Sequence, residues 1–215
     1  ESNKKLAFGI LEKNIHTEAH HNSVLFLDGI GQQFYRKRYL VPFGEYFPVP
    51  DFMREWLRLL SLPNTDLVRG EEIQPLIDLN NNVSLAIAIC YEIAFGAKQL
   101  YAFPEAGLLI NVSNDAWFGN SIAPYQHLQL SRMRSLEVGR EMVRVTNNGI
   151  SAFIDSQGKV VEQSEQFVFN KLAASMQPRA GATPYVLFGN WPIIIINSLL
   201  LFIFFKRKLA MNEKS

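Results

Sequence analysis

The sequence predicts an α/β layered sandwich followed by one membrane-spanning helix near the C-terminus. Short apolar runs alternate with helix-like stretches ahead of residue 183, which is typical of sheets layered with helices. Apolar residues make up 48% of the 215, enough for a buried core and too few for a protein with several membrane spans. The formal charge of +1 gives no reason to expect a nucleic-acid partner, because phosphate binding needs a clustered excess of Lys and Arg.

The individual elements are predicted in chain order from the spacing of apolar residues. The run 83–89 alternates large and small apolar residues, as a strand covered on both faces does. Strands are predicted at 6–11, 23–27, 33–39, 83–89 and 107–112, and near residues 143, 152, 160 and 167. Helices are predicted at 51–60, 92–101 and 124–140.

The uncharged run 186–205 predicts a transmembrane helix. Its 20 residues, at about 1.5 Å each, match the roughly 30 Å of membrane hydrocarbon. The basic triplet 206–208 begins a cytoplasmic tail, 206–215, and Trp191 lies near the start of the run, where interfacial aromatic residues occur. The excess of positive charge on the cytoplasmic side then places the preceding domain on the outer face of the membrane. A buried core helix is the alternative for this run.

The single cysteine lies where a strand meets a helix. Cys90 directly follows the run 83–89, and an elbow of this kind places a thiol beside a helix N-terminus, which stabilises a thiolate. One cysteine excludes an internal disulfide and a multi-cysteine zinc site. The N–H group of Tyr91 can face a developing oxyanion, and Glu92 can cap the helix or orient a substrate. The residues alone leave a nucleophile and a buried core thiol equally open.

Three adjacent basic residues precede a rigid Pro-Phe-Gly turn. In an extended chain Lys37 faces opposite to Arg36 and Arg38, so it can point inward while they remain on a solvated edge. An inward lysine needs a carboxylate or a developing anion to offset its desolvation. Glu45, directly after the turn, is one candidate partner.

A polar and aromatic loop follows the predicted strand 107–112. Asn114 and Asp115 beside Trp117 suit a recognition surface, although an ordinary Asx turn is an equally good interpretation of Asp115. In the next helix His127 is a lone residue without a metal partner. The other charged residues of this helix are expected to form structural ion pairs on exposed faces: Arg132, Arg134, Glu137 and Arg140.

Five motifs occur together and in order along the chain. They are K-R-Y-L-V-P-F-G-E-Y, A-I-C-Y-E, S-N-D-A-W-F-G followed by Q-H, T-N-N-G-I-S, and G-N-W-P before the apolar run. With them the chain resembles the C-terminal part of the bacterial apolipoprotein N-acyltransferase family, membrane-anchored members of the nitrilase superfamily. The resemblance covers essentially all 215 residues. It implies a nitrilase-like αββα sandwich over 1–182, incomplete at its N-terminus.

The resemblance also implies a reaction and the residues that perform it. The cysteine takes an acyl chain from a phospholipid, typically phosphatidylethanolamine, as a thioester and passes it to the α-amino group of a diacylglyceryl-cysteine at a lipoprotein N-terminus. The expected location is the bacterial inner membrane, and no cofactor or metal is required. The implied roles are Cys90 as nucleophile, Lys37 as the cation that stabilises the tetrahedral intermediate, Glu45 as a supporting glutamate, Tyr91 and Glu92 as the pair after the cysteine, and Asn114 and Trp117 as substrate-site residues.

The family's general-base glutamate lies on a strand well upstream of the lysine. Only 36 residues precede Lys37, and Glu1, Glu12 and Glu18 lie in the wrong context for this role. Because a general base typically contributes about 10²- to 10⁴-fold in rate, we expect this chain alone to have little or no activity. The first residue is Glu and no signal segment follows it, so we also expect the chain to be a piece of a longer protein.

Two other functions stay open at the level of sequence. A nitrilase-superfamily amidase that hydrolyses a small amide needs the same Cys, Lys and Glu, but neither the terminal apolar run nor the V-P-F-G-E-Y loop. An inactive, membrane-tethered remnant of a longer gene is the non-enzymatic alternative.

Overall fold

Two β-sheets, with helices packed on one of them, form the described part of the chain. The computed structural model describes residues 4–29, 31–50, 66–79 and 83–212. The strands in these ranges are β1 (Leu6–Lys13), β2 (His20–Leu27), β3 (Gln32–Arg36), β4 (Ile77–Asp78), β5 (Ser84–Ile89), β6 (Ala106–Ser113), β7 (Glu141–Thr146), β8 (Ala152–Ile154) and β9 (Val160–Gln163). The α-helices are α1 (Gly96–Gln99), α2 (Ala123–Val138), α3 (Pro184–Phe188) and α4 (Trp191–Asn212).

The smaller sheet is antiparallel, in the order β1-β2-β3. Along β2 the half-buried Leu25 separates the buried Val24 and Phe26, the pattern of a strand with one face toward a core. Both side chains, with Tyr35 of β3, pack against apolar residues of β5. The two sheets therefore lie face to face. They approach so closely that a Cβ atom on Gly9 would lie 3.2 Å from a methyl group of Val112.

The larger sheet has the order β4-β5-β6-β7-β8-β9, and its strands β5, β6 and β7 are parallel. Ile89 pairs with Val112, which pairs with Val145, so these three strands end together. The residues that follow the strands consequently share one edge of the sheet, the usual position of a functional site in a parallel sheet.

Helix α2 covers the other face of the larger sheet. It has Pro124 in its first turn and is followed by Gly139, whose φ of 63° is in the left-handed region. Its buried Leu128 and Val138 join a second core with Ala88 and other residues of the sheet. The described layers are thus helix, sheet and sheet, and the predicted α/β layered sandwich is confirmed.

The stretch after Cys90 is a series of short helices, not the single helix predicted over 92–101. A 3-10 helix, Cys90–Ala94, is followed by α1 and by a second 3-10 helix, Leu100–Ala102. Phe95 interrupts the series, with φ −101° and ψ 74°. A Cβ atom on Gly96 would collide with the Arg134 side chain, so this glycine lets α1 lie against α2.

The other element predictions have mixed outcomes. The strands predicted near residues 143, 152 and 160 are confirmed as β7, β8 and β9, whereas Phe167 has a φ of 60° and lies outside the strands. The predicted helix 51–60 lies outside the described residues. The predicted helix 124–140 is confirmed as α2 but ends at Val138.

The prediction that charged residues form ion pairs on exposed faces of this helix is largely wrong. Arg140 follows the helix, is buried, and donates to backbone carbonyl groups, among them that of Ala106 at 2.7 Å. Arg134 pairs with Glu137 at 2.8 Å, but both side chains are mostly buried.

The stretch 186–205, predicted to be one transmembrane helix, is divided between two helices. Gly189, with a φ of 53°, divides this stretch between α3 and α4. Only 15 residues of α4 precede Lys206, and at about 1.5 Å each they extend roughly 22 Å. Within the ranges that the structure describes, no helix has both the length and the apolar character needed to cross a membrane. The predicted tail from residue 206 begins inside α4.

Candidate active site

The cysteine occupies the predicted elbow between strand and helix. Cys90 is the first residue of the 3-10 helix Cys90–Ala94, called here the Cys90 turn, and directly follows β5. Its φ of 49° is a left-handed conformation that a non-glycine residue adopts at a cost of about 1–3 kcal/mol, and such strain is typical of functional sites. The side chain is half-buried, so its sulfur packs against the core between the sheets without being sealed inside it.

The carboxylate of Glu92 ties the Cys90 turn to the end of β3. It accepts hydrogen bonds from the backbone N–H groups of Ile89 at 2.7 Å and of Arg38 at 2.6 Å. The hydroxyl of Tyr35 donates to it as well, at 3.1 Å. One fully buried side chain therefore joins the residue before Cys90 to the residue after Lys37. The predicted capping role of Glu92 is confirmed.

Lys37 points inward, as predicted, and its ammonium group binds Glu45. The side chain is 1% exposed, and Nζ lies 2.8 and 2.7 Å from the two carboxylate oxygens. Glu45 is itself held by Asn22 and by the backbone N–H of Val41, each at 2.8 Å. In the described part of the chain the ammonium has no other acceptor, so one of its three protons is without a hydrogen bond there.

Arg38 is not on a solvated edge, which corrects the interpretation made from sequence. It is 3% exposed, and its guanidinium carbon lies 4.0 Å from the centre of the Tyr101 ring. It donates to the backbone carbonyl groups of Glu72 at 2.7 Å and Lys98 at 2.9 Å. These bonds fasten the segment that follows β3 to the helices that follow Cys90.

A second polar network lies on the α2 side of the Cys90 turn, and sequence reasoning missed it. His127 of α2 reaches the carbonyl oxygen of Cys90 with Nε2 at 3.1 Å and Oδ1 of Asp115 with Nδ1 at 3.2 Å. Asp115 is buried and its carboxylate contacts other side chains, so it fits neither a recognition surface nor an ordinary Asx turn. The motif S-N-D-A-W-F-G followed by Q-H contained both residues, but their contact depends on where α2 packs.

Arg144 of β7 completes this network. Its side chain is 1% exposed and donates to Oδ2 of Asp115 at 2.8 Å and to the carbonyl oxygen of Ile150 at 3.2 Å. It also donates to Oδ1 of Asn111, whose amide nitrogen binds the carbonyl oxygen of Ala88 at 3.0 Å. The network therefore links β5, β6 and β7 directly behind the strand ends.

Burial and charge shift the pKa values of the two buried carboxylates in opposite directions. Burial raises the pKa of Glu92, and hydrogen bonds from Ile89 and Arg38 offset it only in part. Burial also opposes ionisation of Asp115, but the bond to His127, the charge of Arg144 and other bonds outweigh it, so the pKa of Asp115 lies below its ordinary value. The carboxylate of Asp115 is therefore ionised at neutral pH.

The remaining predicted site residues are nearer the surface. Tyr91 is 40% exposed and packs edge-on against Phe95. Asn114 begins the 3-10 helix Asp115–Phe118, accepting from its backbone at 3.1 Å and from the Asn147 side chain at 2.7 Å. Trp117, on the same helix, is 80% exposed. Of the described residues, no three His, Cys, Asp or Glu side chains are grouped to hold a metal ion.

The fold, the cysteine elbow and the buried Lys37–Glu45 pair together define a class of protein. A family model described as carbon-nitrogen hydrolase matches residues 3–185, and the chain belongs to that family. Within it, the chain is homologous to apolipoprotein N-acyltransferases. It is 43% identical over 196 residues to that of Nitrosomonas europaea, a match covering 91% of this chain and 39% of the relative.

Other relatives agree with this placement. The apolipoprotein N-acyltransferase of Haemophilus influenzae is 41% identical over 184 residues, which cover 83% of this chain and 35% of the relative. The chain therefore spans less than half the length of these curated relatives. The resemblance predicted from the five motifs is confirmed.

Solved structures establish the fold as nitrilase-like. The NitFhit protein of C. elegans superposes with a TM-score of 0.57 at 21% identity, covering 76% of this chain and 40% of that one. An amidase of the nitrilase superfamily from Nesterenkonia AN1 superposes with a TM-score of 0.53 at 15% identity, covering 75% and 58%.

Proposed function

We propose that this chain carries the nucleophile and the cation of an N-acyltransferase that modifies lipoproteins. Cys90 takes an acyl chain from a phospholipid and passes it to the α-amino group of a diacylglyceryl-cysteine. Homology to apolipoprotein N-acyltransferases supports the reaction class. The observation that carries the assignment is the Glu92 carboxylate, because it joins the backbone beside Cys90 to the backbone beside Lys37.

The proposed chemistry has two steps. The Cys90 thiolate attacks the ester carbonyl of the phospholipid, and the tetrahedral oxyanion forms near the positive charge of Lys37. When this intermediate collapses, the ester C–O bond breaks and a thioester remains. The lysophospholipid leaves as an alcohol, with the proton that the general base took from the thiol. The amine of the acceptor then attacks the thioester carbonyl, and the thiol leaves as the amide forms.

The remaining site residues have supporting roles in this proposal. Glu45 keeps Lys37 charged and aimed, while the N–H group of Tyr91 is a second donor to the oxyanion. Trp117 and Asn114 lie at the same sheet edge as Cys90 and contact the substrate. Donor and acceptor both carry lipid chains, so the reaction takes place at a membrane surface. The general base is none of the residues named in this proposal. Glu12 is not a candidate, because its carboxylate is paired with Arg36.

The test compares the 215-residue chain alone with the same chain joined to the rest of the Nitrosomonas europaea relative. Both are incubated with phosphatidylethanolamine vesicles, and mass spectrometry looks for an acyl group on Cys90 that hydroxylamine removes. We expect the joined protein to load Cys90 and to acylate a diacylglyceryl-cysteine peptide, and the chain alone to do so at least about 100-fold more slowly. Release of ammonia from small amides, without acyl loading, would contradict the proposal and indicate an amidase.

A further inference from the structure

The histidine beneath the Cys90 turn has an acceptor at each of its ring nitrogens. Nε2 of His127 faces the carbonyl oxygen of Cys90, which has no proton to give. Nδ1 faces Oδ1 of Asp115, which already accepts from the hydroxyl of Ser113 at 2.6 Å. The ring is 7% exposed, so water has little access to relieve either contact.

Two acceptors require a proton on each ring nitrogen. Asp115 is ionised, because Arg144 pairs with its second oxygen at 2.8 Å and its pKa lies below the ordinary value. A neutral imidazole has only one N–H group, and it would leave a lone pair of His127 directed at one of the two oxygens. Both bonds form together only when His127 is an imidazolium.

We propose that His127 is a positioning residue, a buried imidazolium that holds the backbone of Cys90 in its left-handed conformation and places a positive charge beside the thiol. The peptide between Cys90 and Tyr91 is planar and trans, so its carbonyl oxygen and its N–H group point in opposite directions. A bond that fixes the carbonyl therefore also fixes the donor offered by Tyr91. This inference rests on the proposed function only in taking Cys90 as the nucleophile.

The charges around His127 are consistent with this role. Asp115 faces the ring from the 3-10 helix Asp115–Phe118, and Arg144 of β7 lies behind Asp115. The carboxylate of Glu92, on the Cys90 turn itself, is directed at backbone N–H groups and not at the ring. Burial lowers the pKa of Arg144, while the charges of Asp115 and Cys90 oppose that shift.

The first test is nitrogen NMR on the full chain with labelled histidine, at pH 7.5. The chain has four histidines, and the His127→Gln variant assigns the signal of His127 by its loss. We expect both ring nitrogens of His127 to give the chemical shift of protonated nitrogen. A spectrum with one protonated and one unprotonated ring nitrogen would overturn the proposal.

The second test uses the fact that Cys90 is the only thiol, so the rate of alkylation by iodoacetamide reports on it alone. We expect His127→Ala to slow alkylation by about tenfold, as loss of a hydrogen bond to a charged group does. His127→Gln keeps one N–H donor toward Cys90 and is expected to recover part of the rate. The control is Gln126→Ala, which alters an exposed neighbour on α2 and leaves the rate unchanged.

The alkylation test separates this inference from the proposed function. If His127→Gln melts like the unaltered chain and alkylates at the same rate as His127→Ala or faster than the unaltered chain, the positioning role is overturned. If acyl loading is absent while alkylation still depends on His127, the proposed function fails and the positioning role stands. Should His127→Ala not fold, the NMR result and the His127→Gln rate decide the matter.

Discussion

Two buried cations, Lys37 and Arg144, differ in the number of partners that hold them. The guanidinium of Arg144 donates to four residues: Asp115, Asn111, Ser131 and Ile150. The ammonium group of Lys37 donates to Glu45 alone in the described part of the chain. Four of the five guanidinium N–H groups are therefore bound by several elements of the fold, whereas the ammonium is held by one carboxylate. These contacts indicate that Arg144 maintains the fold behind the strand ends, and they support the proposal that Lys37 is the cation available for chemistry.

Replacement of Arg144 is expected to have the largest effect on stability. Arg144→Met removes the cation bound to Oδ2 of the buried Asp115 carboxylate, which should lower the free energy of unfolding by about 3–5 kcal/mol. Urea denaturation measures the loss. The control is Arg179→Met, because Arg179 is half exposed in its pair with Glu141 and should cost less than about 1 kcal/mol. Similar losses in the two variants would contradict the assigned role of Arg144.

Replacement of Lys37 should instead act mainly on the rate at which Cys90 is acylated. Lys37→Met removes the charge near the oxyanion, so acylation of Cys90 by a p-nitrophenyl ester should slow by about 10²- to 10³-fold. The activated ester is chosen because its leaving group departs without a proton. The free energy of unfolding should fall less than in Arg144→Met, since Glu45 keeps its bonds to Asn22 and Val41.

Lys98→Met is the matched control for this experiment, because Lys98 forms an exposed pair with Glu72. Its acylation rate should equal that of the unaltered chain. An unchanged rate in a folded Lys37→Met variant would remove Lys37 from the proposed mechanism.

Glu92 joins the lysine side of the site to the cysteine side, and its replacement should show an intermediate effect. In Glu92→Gln an amide N–H group would face the backbone N–H of Ile89 or that of Arg38, leaving a buried donor unsatisfied. We expect a loss of about 1–3 kcal/mol in the free energy of unfolding, with slower acylation. Glu165→Gln, on the exposed surface, should change neither quantity. A fully stable Glu92→Gln with normal acylation would show that the link between the two sides is dispensable.

The positions of Cys90, Lys37 and Glu45 could be predicted from sequence, because the signals for them lie close together along the chain. The apolar run that forms β5 ends at Cys90, which placed the elbow. The desolvation of an inward lysine required a nearby anion, which led to Glu45 eight residues away. The left-handed φ of Cys90 could not be read from residue types, although the position that adopts it could.

The network of Arg144, Asp115 and His127 could not be predicted, because packing alone brings these residues together. Arg144 contacts Asp115 across 29 residues, and His127 reaches Cys90 across 37. Arg140 resembles a surface base in sequence, yet it satisfies carbonyl groups as distant as that of Gly181. Charged residues of this kind appear solvated until the position of α2 on the sheet is known. The prediction of one continuous helix over 186–205 failed for another reason, because the apolar composition of this run did not reveal the break at Gly189.

Acid should weaken the pair between Arg144 and Asp115 by protonating the carboxylate, and this is the smallest of the expected effects. The pKa of Asp115 is lower in the folded chain than its ordinary value, so the folded state binds a proton less readily than the unfolded state. The stabilisation is therefore complete above the ordinary value, near pH 4, and is lost as the pH falls through the folded value. Urea denaturation between pH 7 and 3 should give a steeper decline for the unaltered chain than for Asp115→Asn. Glu12 also has a lowered pKa, but it is present in both proteins and cancels in the difference. Parallel curves would mean that Asp115 is not ionised in its pair with Arg144, and the imidazolium assigned to His127 would lose its counterion.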